Sequence, residues 1–124
     1  MSIGCTRWAI AEGYLPDPGP HTDNPALCSH ETACVLNAGD LEARLRITVY
    51  FAAREPAGPY RITVPPRRTL HMRFDDLRDP EPIPRNTDYA SLIESDVPVV
   101  VQHTRMDARP QRFALITTVA HGAD

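Results

Sequence analysis

Two short runs hold most of the side chains in this sequence that can do chemistry. One is Ser29-His30-Glu31-Thr32; the other is Gln102-His103-Thr104-Arg105, which follows Pro98 and three consecutive valines. Imidazole beside carboxylate is the usual general acid–base pairing, and His/Glu sets also take divalent metals. Here the pairing comes with an amide and a guanidinium but without a poised nucleophile. That mixture supplies hydrogen-bond donors and acceptors, so it points to binding before catalysis. An enzyme using the His/Glu set, with or without a metal, is the alternative. No Gly-rich phosphate loop, Gly-x-Ser-x-Gly elbow or His-Glu-x-x-His pair is present. Cys28-x-His30 with Cys34 invites a zinc reading, yet the spacing fits no common zinc knuckle and a second paired half is lacking. No cofactor is expected.

The elements that must position these residues are short strands. Val99 to Val101 is β-branched and reads as a buried strand, predicted over Val97 to Arg105. Period two puts His103 and Arg105 on the face of Val99 and Val101, and Gln102 and Thr104 on the other. The clearest alternation runs from Arg44 to Tyr50, with Leu45, Ile47, Val49 and Phe51 on one side. Further strands are predicted at 5–11, 27–37, 60–64, 68–74 and 113–119. Thr87 to Ile93 reads as one short capped helical turn. The proline-punctuated stretch Leu15 to Pro25 is a surface loop, either a ligand loop or a loose excursion, and the last five residues are expected to fray. About seven to eight short strands with Pro/Gly turns and almost no helical periodicity argue for an all-β, antiparallel β-sandwich.

At 124 residues the chain is most simply one domain, 1–124. Its net charge of −3 argues against a strong footprint on nucleic acid, and so against DNA as a partner. All 13 basic residues are arginine. Arg44, Arg46 and Tyr50, with Arg61 across the hairpin, make an arginine-and-aromatic face that suits a subunit interface better than nucleic acid. Met1 to Gly13 has no basic region ahead of an apolar core, and no apolar stretch approaches the ~20 residues that cross a bilayer. A soluble, cytoplasmic protein is expected, and three cysteines without a disulfide-scaffold density fit a reducing compartment.

Several motifs are similar to those of the sensory rhodopsin transducer family, whose prototype is the soluble transducer of the Anabaena sensory rhodopsin. They are Trp8 to Tyr14, Ser29 to Thr32, Leu36 to Asp40, Glu55 to Arg61, Arg67 to Thr69 with His71, Arg73 and Phe74, and Pro98 to Arg105. The resemblance runs nearly end to end and is weakest at 15–25 and in the tail. It implies a β-sandwich subunit in a homotetramer, a signalling role beside a membrane photoreceptor with possible DNA contact, and a small-molecule site for a sugar or related metabolite. The polar motif residues that map onto this chain are Trp8, Glu12, His30, Glu31, Asn37, His71, Arg73, Gln102, His103 and Arg105. We expect them to form the ligand site, with Trp8 as an apolar wall.

Overall fold

In a computed structural model, which describes residues 2–124, the chain forms eight antiparallel strands and two single-turn 3₁₀ helices. The strands are β1 (Cys5–Tyr14), β2 (His30–Asn37), β3 (Ala43–Phe51), β4 (Ala57–Val64), β5 (Arg68–Arg73), β6 (Asp88–Asp107), β7 (Ala114–Val119) and β8 (His121–Ala123). One sheet runs β4-β3-β6-β1-β8, the other β5-β2-β6-β7, so the 20-residue β6 serves both. Its first half pairs with β3 and β1, and from Val100 onward it pairs with β2 and β7. Pro98, which has no N–H to donate, stands at this handover, where the pairing with β1 loses its regular register.

The alternation in β3 does what the sequence predicts. Leu45, Ile47 and Val49 are buried, while Arg44, Arg46 and Tyr50 face outward, with Arg46 directly opposite Arg61. Those apolar side chains join Trp8, Tyr60, Val64 and Ile93 of the same sheet and Val35, Met72 and Val101 of the other in one core. The sandwich is thus antiparallel and almost without helix, as expected.

Three local expectations are corrected. Thr87 to Ile93 is no helical turn: from Asp88 onward it is strand, with Tyr89, Ser91 and Ile93 inward, because β1 and β3 supply ladder partners on both sides. The tail does not simply fray, since His121, Gly122 and Ala123 pair with Ala9, Trp8 and Arg7. The proline loop is anchored rather than loose. Leu15 is fully buried, its carbonyl accepts from Asn86 N–H, and the Arg85 guanidinium donates to the carbonyls of Pro16 and Ser29.

Two backbone details bear on the site. The β1–β6 register slips by one between Ile10 and Gly13, a bulge in β1. Strict alternation from Trp8 and Ile10 would carry Glu12 into the core; the bulge turns Glu12 outward and Gly13 inward instead. Gly13 then lies so close to Tyr89 that an added Cβ would meet its ring and carbonyl at 2.7 Å, so only glycine fits.

Candidate functional site

Glu31 is the centre of the polar constellation. On β2 the odd residues Glu31, Ala33, Val35 and Asn37 are buried, and pairing with β6 sets Glu31 opposite Arg105 and Ala33 opposite His103. The carboxylate is 0% exposed, yet its four acceptor positions are all used. Oε1 accepts from Tyr14 N–H at 2.8 Å and from the Tyr89 hydroxyl in a short hydrogen bond. Oε2 accepts from His103 Nε2 at 3.0 Å and from Arg105 Nε at 2.8 Å. A second guanidinium nitrogen, Nη2, makes a short contact to the carboxylate of Glu12.

The electrostatics follow from this geometry. Burial pushes the Glu31 carboxyl upward, but hydrogen bonds from His103, Tyr89 and Arg105 and the guanidinium charge outweigh it and hold the group below the ordinary carboxylate range. Burial likewise raises the Tyr89 phenol, and the charge of Glu31 raises it further, so it stays a neutral donor. Burial lowers the Arg105 guanidinium, but its two carboxylate partners more than offset that, and it stays charged. Because Glu31 is ionised and can only accept, the proton of His103 sits on Nε2. Nδ1 has no protein partner, and neither has Nη1 of Arg105. Among the described residues the only buried side-chain N or O atom without a partner is Ser91 Oγ, so neither nitrogen is wholly shut off from solvent.

His103 and Arg105 both line a cleft of about 640 Å³. Its walls are Ala9–Glu12 of β1, His103 and Arg105 of β6, Ile116, Thr118 and Val119 of β7, and the Ala120-His121 link into β8. β7 continues the inner rows of β6, with Ile116 opposite Arg105 and Thr118 opposite His103. The cleft is therefore mostly apolar, with Glu12, His103, Arg105 and His121 as its ionisable side chains. Its polar side chains include the neutral tautomer of His103, with a lone pair on Nδ1, and the Arg105 guanidinium, both held in place by a carboxylate that cannot itself reach a ligand without losing a partner.

Of the ten residues expected at the ligand site, four converge: Glu12, Glu31, His103 and Arg105. The others lie elsewhere. Trp8 is buried beneath β8, its Nε1 donating to the carbonyls of Cys5 and Val99, so it is no wall of the cleft. Asn37, at the far end of β2, donates to the carbonyls of Leu41, Val64 and Pro65 and accepts from Gly39 N–H. His30 Nδ1 bonds the Cys28 carbonyl. Arg73 pairs with Asp75, while His71 and Gln102 point outward. Tyr89, Tyr14 N–H and His121 were missed. Tyr89 lay within the predicted helical turn and His121 in the tail expected to fray. Among the described residues no three of His, Cys, Asp and Glu gather as a metal-ligand set.

A family description, Anabaena sensory rhodopsin transducer, matches residues 3–122. The chain belongs to this family. Two solved structures are similar to it. The Anabaena sensory rhodopsin transducer shares 60% identity over 84% of this chain and 99% of its own, with a TM-score of 0.74. Thermotoga maritima 1070 shares 32% identity over 97% of this chain and 96% of its own, with a TM-score of 0.83. No curated protein sequence matches. Family membership accounts for the sandwich; the cleft's chemistry has to be read from its own residues. No helix of the described residues is long and apolar enough to cross a membrane.

Proposed function

We propose that this transducer-family chain is a non-enzymatic signalling protein of the cytoplasm that binds a small polar ligand, a sugar or related metabolite, in the Glu31–Arg105 cleft. The observation that carries this reading is the pairing of a fully satisfied buried carboxylate with two cleft-lining side chains, His103 and Arg105, that keep polar atoms without a protein partner. Hydroxyls would donate to His103 Nδ1 and accept from Arg105, while the carbon face of the ligand packs on Ala9, Ala11 and Ile116. Binding is favoured over catalysis because Glu31 has all four acceptor positions committed, which leaves it an orienting group rather than a free base. Thermal-shift titration with monosaccharides, sugar acids and nucleotides tests this. At least one of the sugars or sugar acids is expected to raise the melting temperature of the wild type and not of His103→Gln. A panel that moves neither, or both alike, overturns it.

The 60% identity with the Anabaena transducer favours a second, compatible role, relay of a membrane photoreceptor's state. Co-sedimentation with retinal-loaded sensory rhodopsin in lipid nanodiscs tests it: retention is expected, and passage with the unbound fraction removes that role. We also propose that the chain acts as a homotetramer through β7. That edge strand exposes Leu115, on the face opposite Ile116, at 67%, and carries no charged residue. An uncharged apolar edge is what a second copy would cover. Light scattering is expected to give four chains, and Leu115→Lys to lower the mass.

A further inference from the structure

The Glu12–Arg105 contact has an unusual balance. Arg105 is fixed from behind: Glu31 holds its Nε, and its side chain is only 20% exposed. Glu12 is its opposite, a side chain 70% exposed on a bulge, touching only Nη2. With Nε on Glu31 and Nη2 on Glu12, Nη1 is left without a partner, and Nη1 with the second hydrogen of Nη2 forms the end-on fork that a carboxylate fills with two parallel hydrogen bonds. Glu12 leaves Nη1 unused.

We propose that Glu12 occupies the place of a ligand's carboxylate, and that the cleft's ligand is a small hydroxy acid rather than a neutral sugar. This rests on the ligand-binding reading of the same cleft. The exchange conserves charge at Arg105, because one carboxylate leaves as another arrives. Glu12 returns to water at little cost, since an exposed ion pair is weak and screened. The incoming carboxylate gains the end-on, two-bond geometry that Glu12 does not make. A hydroxyl on the neighbouring carbons then reaches His103 Nδ1, whose lone pair Glu31 fixes by holding the proton on Nε2. The carbon skeleton lies along Ala9, Ala11 and Ile116. A phosphate would satisfy Arg105 as well but would bring a second negative charge beside Glu31; a carboxylate does not.

The test is calorimetric titration of the full chain, wild type and Glu12→Gln, with three matched pairs: D-glucuronate and D-glucose, D-galacturonate and D-galactose, D-gluconate and D-sorbitol. Hexanoate and inorganic phosphate complete the set. At least one acid is expected to bind about tenfold tighter than its neutral partner, the difference one added charge-assisted hydrogen bond makes. Glu12→Gln is expected to tighten that acid further and to leave its neutral partner unmoved. A neutral sugar that binds as well as its acid, or an acid indifferent to Glu12→Gln, overturns this inference while the ligand site stands. Hexanoate or phosphate binding as tightly as the best acid overturns the hydroxy-acid assignment. If no sugar and no acid binds, the ligand reading itself falls, and this with it.

Discussion

Strand β2 carries two fully buried polar side chains on one face, Glu31 near its start and Asn37 at its end, and they do different work. Every partner of Asn37 is backbone: three carbonyls and one N–H, all from the turns that close β2 onto β3 and β4 onto β5. Its polarity is wholly absorbed in holding those turns. Three of the four partners of Glu31 are side chains, and two of these, His103 and Arg105, line the cleft and have nitrogens without a partner. Full satisfaction is common to both. A buried polar group whose partners are backbone builds structure; one whose partners keep unused donors and acceptors toward a cavity prepares a site.

The sharpest way to break this contrast is to truncate each residue. Glu31→Ala leaves Arg105 buried without its carboxylate and is expected to cost about 3–5 kcal/mol, against about 1–3 kcal/mol for Asn37→Ala. Urea unfolding followed through the single tryptophan, Trp8, measures both. Equal losses, or the reverse order, would contradict a charged hub at Glu31. Gly13→Ala comes next, at about 1–3 kcal/mol, because its new methyl meets the Tyr89 ring and backbone. Its readout is the melting temperature, and a neutral result would remove the close packing that sets the Tyr89 hydroxyl on Glu31.

Acidity separates the two ends as well. Glu31 is held below its ordinary value of 4.5 in the fold and titrates near that value unfolded. The unfolded chain therefore takes up the proton first, so the contribution of Glu31 is present above about pH 4.5 and fades as pH falls through the folded value. Asp107, held down by hydrogen bonds from Arg109, adds a background of the same sign. Between pH 6 and 3, Glu31→Gln is expected to lose stability less steeply than wild type, and Asn37→Ala in parallel with it. The smallest effect belongs to Glu12→Ala, within about 1 kcal/mol, since its pair with Arg105 lies largely in water. A larger loss in unfolding experiments would make Glu12 a structural residue.

Much of this architecture was legible in the sequence. Strict alternation marked β3, and the same period placed His103 and Arg105 together on the face of Val99 and Val101, with Gln102 turned away. Both readings rest on local pattern, and local pattern survives folding when one face is buried. What escaped was non-local. Tyr89, Ser91 and Ile93 alternate as a strand should, but Thr87-Asp88 looks like a helix cap, and only the ladders to β1 and β3 decide between the two. Glu12 faces Arg105 because of a bulge, which shifts side chains by one position without a sequence signal of its own. The three residues of β8 are strand only because β1 offers an edge. As for Asn37, polar character alone could not tell a turn clamp from a ligand contact, since two of its three carbonyl partners lie 27 and 28 residues away in the chain.

The most direct measurement is ¹H–¹⁵N chemical-shift mapping of the chain with the sugar or sugar acid that raises its melting temperature most. The Arg105 Nε–H, the His103 ring and the Tyr14 amide are expected to move together with saturating ligand, while Asn37 and Gly39 at the other end of β2 stay still. Shifts centred on Asn37, or spread evenly over both ends, would contradict a ligand site built on Glu31.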